Sequence, residues 1–278
     1  MRRGGRLGAE RRGEATSPPT FAPMLVLLSP AKTLDFTPAD TPAVTQPRLL
    51  EQTAQLVDAL RKKSPKKLEG LMSISSALAT QNAERYRAFD SPDSLAAAKP
   101  ALLAFKGDVY RGLEADTLDA EELTWAQDHV RVLSGMYGLL RPLDLIQPYR
   151  LEMGTKLKVG RKKDLYAFWD ARITDLLRDD IAATGARYVL NAASKEYMGC
   201  LDQACLGVPV LEADFRERRG GALKFITYNA KVARGKLAQL VVRHRITDPS
   251  GLEDLEVNGY AYDAERSRGS IVAFTKDA

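Results

Sequence analysis

A single large α+β domain of mixed strands and helices is the architecture the sequence predicts, and three observations carry it. Residues 24–28, Met-Leu-Val-Leu-Leu, are apolar without alternation, the mark of a strand covered on both faces. Strand-like and helical segments then alternate imperfectly and without internal repeat, which fits a mixed arrangement better than a clean doubly wound sheet. Finally, 278 residues with 45% apolar and 28% charged side chains suffice to bury one large core. The expected division is a leader over residues 1–23, disordered or an upstream extension, and one domain over 24–278.

Taken in order, the first strand ends at Ser29-Pro30, where proline closes the ladder, so Lys32, Thr33 and Asp35 leave a buried strand on a loop. Ligand sites of open α/β sheets occupy such positions. Prolines 38, 42 and 47 make residues 36–47 a loop. Leu49, Leu50, Leu56, Val57 and Leu60 recur at helical spacing, and Arg61, Lys62 and Lys63 close that helix where its dipole favours cations. Helical blocks follow over 65–71, 76–89 and 95–103, the last interrupted by Pro100. In the segment 104–113, Lys106 and Asp108 flank Gly107 and predict a tight turn with both charges close together. Residues 114–128 read as an acidic helical region, 131–133 as a strand turned by Ser134-Gly135, and 164–177 as an amphipathic helix. Further strands are expected at 187–191, 208–215 and 222–228. A helix capped by Asn229 then runs to His244, before a last strand over 270–275.

Composition narrows the function. The net charge is +5, but five arginines against two glutamates in residues 1–23 hold three of those charges, so a nucleic-acid argument has to rest on a local patch. Two cysteines and two distant histidines match neither a disulfide scaffold nor a zinc-ligand spacing. No metal or cofactor is expected. No apolar run approaches the roughly 20 residues that span a membrane, and no secretory signal is evident, so a cytoplasmic protein without a membrane partner is expected.

Four constellations can carry chemistry. In the first, Ser134, Gly135, Tyr137 and Gly138 form a glycine-bounded turn of the kind a helix-hairpin-helix module uses to bring backbone N–H groups to a phosphate, with Arg141, Lys156 and Lys158 available to add charge. The second is Arg150 and Glu152, which share one face of an extended segment and can orient a substrate, serve as a base, or form a structural ion pair. The third places Ser194, Lys195 and Glu196 at a strand end, to be combined with Lys32 and Lys106. The fourth is basic: Lys224, Lys231, Arg234 and Lys236 stand at a strand end and in the first turns of a helix, where the macrodipole does not help cations, and an external anion is one explanation.

Several blocks resemble one family. Leu-Ser-Pro-Ala-Lys-Thr-Leu-Asp from 28, Ala-Phe-Lys-Gly-Asp-Val-Tyr from 104, Leu-Ser-Gly-Met-Tyr-Gly-Leu-Leu-Arg-Pro-Leu-Asp from 133 and Gln-Pro-Tyr-Arg-Leu-Glu-Met-Gly from 147 are similar to the peroxide-stress protein YaaA family, once an uncharacterised family. Later blocks from 164, 189 and 225 fit the same family in the same order. The resemblance implies a cytoplasmic protein that limits hydrogen-peroxide damage and protects DNA, associated with lowered free intracellular iron. It also implies a mixed α/β domain with a helix-hairpin-helix element and a cationic cleft for double-stranded DNA. The family's Ser-Gly-Leu-Tyr-Gly stands here as residues 134–138 with Met136. Its Ala-Ser-Asp-Glu-Tyr stands as 193–197 with Lys195 in place of the acid, which argues against an acid role at 195.

Two functions are therefore expected of this chain. One is DNA binding through residues 134, 135, 137, 138, 141, 224, 231, 234 and 236, with no stable protein partner. The other is an enzyme whose basic cleft, built from Lys32, Lys106, Arg150, Glu152 and Glu196, takes a small phosphorylated or nucleotide substrate.

Overall fold

The structure, a computed structural model, describes residues 23–277, so the expected leader lies outside it apart from Pro23. Nine strands form the main sheet. They are β1 (Met24–Leu28), β2 (Val130–Ser134), β3 (Gly138–Leu140), β4 (Tyr188–Asn191), β5 (Val210–Arg219), β6 (Ala222–Lys224), β7 (Glu256–Val257), β8 (Tyr260–Tyr262) and β9 (Ile271–Asp277). β1 lies between β2 and β4, parallel to both, and the parallel run continues through β5 to β9. Antiparallel β3 covers one edge, β8 and β7 the other, and β6 folds back on β5.

Within the parallel set alone the order is 2-1-3-4-5, the flavodoxin-like order. The chain goes from β1 to β2 on one side and then crosses to β4 on the other. The carboxyl ends of β1 and β4 therefore meet at a switch point from which their two connections leave in opposite directions, the usual ligand position of such sheets. The mixed domain is as expected, and its doubly wound centre is an addition: residues 29–129, mostly helix and loop, separate the first two parallel strands and hide the alternation. All five residues of β1 are fully buried, which is why that run carries no polar face.

Helices cover the sheet. Among them are α1 (Leu50–Arg61), α2 (Pro65–Met72), α3 (Ser76–Ala88), α4 (Asp108–Leu113), α5 (Ala120–His129), α6 (Leu165–Trp169), α7 (Arg172–Thr184) and α8 (Thr227–Arg243), with single short turns of helix besides. Several expected boundaries shift for local reasons. The block at 95–103 is broken, because Lys99 and Pro100 pair with residues 145–146 and a single helical turn follows at Ala101–Ala104. The acidic helix starts only at Ala120, where Asp119 and Glu122 form a capping box. The 164–177 helix is two helices, parted at Asp170, whose φ is 52°. Finally, α8 begins at Thr227 without a side-chain cap, and Asn229 instead donates to Glu217.

The crossing of α4 on α8 is unusually close. A Cβ on Gly112 would sit 1.9 Å from the carbonyl oxygen of Val232, and one on Gly235 1.7 Å from that of Val109. Only glycine permits this approach, and it brings Asp108 and the first turns of α8 together at the carboxyl edge of the sheet, where Lys231 and Asp108 pair at 3.4 Å. Among the described residues, no helix is long and apolar enough to cross a membrane.

Candidate functional site

The glycine-bounded turn at 134–138 is strand–turn–strand, joining β2 to β3, and not a helix-hairpin-helix. Ser134, Gly135, Tyr137 and Gly138 are buried. The Ser134 hydroxyl accepts the N–H groups of Met136 (3.2 Å) and Tyr137 (3.1 Å), so those donors are spent inside the turn. Gly138 has φ +73°, and a side chain there would meet Leu49 and Trp169. Gly135 has a different task. A Cβ on it would lie 2.3 Å from the carbonyl oxygen of Leu151, so the glycine lets the 150–152 segment pass directly over the turn. Trp169 donates to the Gly135 carbonyl, and Tyr86 to that of Arg150, fixing the two segments. The turn thus positions Arg150 and Glu152 and offers itself to nothing outside.

Arg141 is also committed. Just past the strand that runs back from the turn, it chelates the buried Asp144 at 2.9 Å and donates to the Gln46 carbonyl at 3.2 Å. Lys236 faces Gln239 (2.6 Å) and Glu114 (3.7 Å), while Lys224 is exposed on the β5–β6 hairpin. Of the nine residues expected to meet DNA, Lys231 and Arg234 alone reach the cavity described next.

That cavity, of about 800 Å³, opens at the carboxyl ends of β1 and β4 and along the first part of β5. It joins the five residues of the expected cleft, Lys32, Lys106, Arg150, Glu152 and Glu196. The loops after β1 and β4 are tied where they diverge, since Ser194 N–H donates to the Ser29 hydroxyl (2.9 Å) and Tyr110 to the Ser29 carbonyl (3.1 Å). Glu152 receives Lys32 at 2.8 Å and Arg150 at 3.1 Å on the same oxygen. Glu196 accepts the Gly154 N–H at 2.9 Å. Lys106 stands looser, 3.9 Å from Asp35 and 3.7 Å from Asp116, on the wall shared with a smaller hollow. Tyr110, Tyr149 and Tyr197 line the cavity, and burial raises the phenol pKa of each, so they present neutral hydroxyls.

The opposite wall comes from β5 and α8, and residue-by-residue reading missed most of it. Glu212, Asp214 and Arg216 alternate along β5 on its cavity face, with Phe225 and Thr227 beyond. The run Leu-Glu-Ala-Asp-Phe-Arg carried that period-two signal, polar at every second position of an otherwise apolar strand. Asp214 accepts from Arg216 and Arg266, each at 2.9 Å; burial raises its pKa, and these bonds more than reverse it, leaving it lowered.

Arg234 is different. Its Nε is buried and has no hydrogen-bond partner, and no ion pair reaches its side chain among the described residues. Desolvation lowers its pKa, with Glu212 and Asp214 pulling the other way from a distance. The Nε of Arg150, in the same cavity, is likewise without a partner. Among the described residues, no group of three or more His, Cys, Asp or Glu side chains is placed to hold a metal ion.

Comparison with known proteins gives one consistent result. The profile of a family described as peroxide stress protein YaaA matches residues 24–266. A UPF0246 protein of Albidiferax ferrireducens is 48% identical over 254 residues, covering 91% of this chain and 98% of that protein. A UPF0246 protein of Burkholderia vietnamiensis is 47% identical over 256 residues, with 91% and 98% covered. One of Paracidovorax citrulli is 48% identical over 261 residues, with 92% and 100% covered.

Proposed function

The chain belongs to the peroxide stress protein YaaA family and so has a role in peroxide stress; from that premise we propose that it acts through its cavity, as an enzyme on a small phosphorylated or nucleotide substrate. The observation that carries this reading is Arg234, which lines the cavity wall with its Nε buried and without a hydrogen bond in return. A buried polar group left unsatisfied costs stability, and an anion donated by a ligand removes that cost. Lys32, Arg150 and Lys195 approach from the β1 and β4 side, so a phosphate is met by cations from both walls. Glu152, held by Lys32 and Arg150, is the carboxylate placed to move a proton of the bound molecule. The position at the switch point of a 2-1-3-4-5 sheet agrees with this use.

Neither cysteine has the lowered pKa of a reactive thiol. Burial pushes the Cys200 thiol up to about 12, and the hydrogen bond to Asp202 raises that of Cys205, whereas a reactive thiol needs a lowered pKa.

Titration calorimetry with nucleoside monophosphates and sugar phosphates tests the proposal. The expected result is saturable binding that weakens about ten-fold or more in Arg234→Met, the scale of one charge-assisted contact. An absence of heat with every phosphorylated compound, or equal affinity in the variant, contradicts it.

A second reading, binding of duplex DNA, is favoured by the segment leaving the cavity after Gly154. Lys156, Lys158, Arg161 and Lys163 are exposed there, and no protein carboxylate pairs with them among the described residues. Reversing those four charges is expected to flatten the salt dependence of duplex binding, at about 0.9 in slope for each phosphate no longer neutralised. An unchanged slope excludes the segment as the DNA-binding surface.

A further inference from the structure

The two ends of the cavity are unlike. Toward β1 and β4 it is lined by Lys32, Arg150 and Lys195, with Glu152 held between the first two and Glu196 beside the third. Toward β5 it offers an aromatic ring and a carboxylate. Phe225 is 43% exposed, and the Arg216 guanidinium carbon lies 5.4 Å from its ring centroid. Asp214 is engaged by two arginines, whereas the Glu212 carboxylate has no hydrogen bond or ion pair among the described residues. A cavity of about 800 Å³ also exceeds the need of a lone phosphate and suits a nucleotide-sized molecule.

We propose that the β5 end reads a nucleobase, a planar ring stacking on Phe225 while Glu212 accepts two adjacent N–H donors of the guanine type. Every base has a face to stack, so Phe225 supplies affinity without choice. Choice comes from Glu212. A carboxylate has two acceptor oxygens and no donor. Guanine presents a ring N–H beside an exocyclic amine, one hydrogen for each oxygen. Adenine and cytosine set a ring lone pair beside their amine, and that lone pair faces the carboxylate. The phosphate of the same molecule is left to Lys32, Arg150 and Lys195 across the cavity, with Arg234 on the α8 wall also lining it. The inference rests on the cavity being the ligand site and names what the ligand carries besides its phosphate.

The test is calorimetric titration of the full chain with GMP, IMP, AMP and ribose 5-phosphate. GMP is expected to bind about ten-fold more tightly than AMP, the discrimination a bidentate contact gives, with IMP between them. Glu212→Gln is expected to abolish that preference and leave ribose 5-phosphate unchanged. Phe225→Ala is expected to weaken all three nucleotides alike by about ten-fold, the scale of one base–aromatic stack, again sparing ribose 5-phosphate. Neither side chain belongs to the buried core, so circular dichroism is expected to show both variants folded. Equal affinity for all four compounds, or a GMP preference that survives Glu212→Gln, overturns the base assignment while the anion reading stands. Failure of all four to bind removes the anion reading itself.

Discussion

Asp180 is a buried charge and Arg234 a partly buried one, and their surroundings treat them differently. Asp180, on α7, accepts from Arg48 at 2.6 and 2.9 Å and from Arg131 on β2 at 2.6 Å. Arg131 Nη1 donates to the carbonyls of Gln127 and Val130. Burial alone would raise the Asp180 pKa, and the two arginines hold it below the ordinary value instead. Arg234 has acidic neighbours at a distance and no hydrogen bond. An unpartnered nitrogen is not decisive alone, since Arg48 Nε is also unpartnered. What separates the regions is whether the charge has a partner at all. A closed network is scaffold, whereas an open charge lining a cavity waits for a ligand.

The largest expected effect falls on the closed side. Asp180→Ala leaves two arginines facing each other with their shared partner gone, and is expected to cost about 3–5 kcal/mol of stability in denaturant unfolding. Ligand affinity, measured where the variant is still folded, is expected to stay at the wild-type value. A variant that loses affinity but not stability breaks the division between scaffold and site.

A second closed hub gives a pH signature. Buried Glu217 accepts from Asn229 (2.5 Å), Tyr260 (2.8 Å) and Arg219 (2.6 Å), with Lys276 at 3.7 Å. Burial pushes its pKa up, but these partners outweigh it and lower the value from 4.5 to about 2. A carboxyl whose folded pKa is depressed stabilises the protein above its unfolded pKa and loses that contribution as pH falls through the folded one. The wild type is therefore expected to lose stability steeply between about pH 4.5 and 2, and Glu217→Gln to show a shallower slope over that window. Parallel profiles sink the assignment.

Cysteine gives the smallest effect. With its thiol pKa raised by Asp202, Cys205 is expected to alkylate at neutral pH no faster than an unperturbed thiol, and Cys205→Ser to leave survival under peroxide unchanged. Rapid alkylation or a sensitive strain reopens a thiol mechanism.

Much of this was legible in the sequence, for identifiable reasons. The five residues of the expected cleft share one cavity, and Lys106 beside Gly107 shows the turn signal that pointed to it. The apolar run of β1 announced a central strand, and Ser29-Pro30 announced its end. The turn at 134–138 was misread because a glycine needed for φ and one needed for close approach look alike in sequence. Gly135 is explained only by Leu151 passing 2.3 Å from where its Cβ would stand, a tertiary contact. Gly112 and Gly235 hid for the same reason. The β5 wall was missed because its charges alternate in a strand, a pattern that ordinarily marks a solvent face, and only the packing of α8 shows that this face lines a cavity.

Thermal unfolding of wild type and Arg234→Met, each with and without a saturating phosphorylated ligand, tests the open charge of Arg234 most directly. Without ligand the variant is expected to be the more stable by about 1 kcal/mol, because an unsatisfied buried polar group has been removed. With ligand the order reverses, since wild type alone gains from binding. A variant that is less stable without ligand, or that gains as much as wild type from it, shows that Arg234 is part of the scaffold.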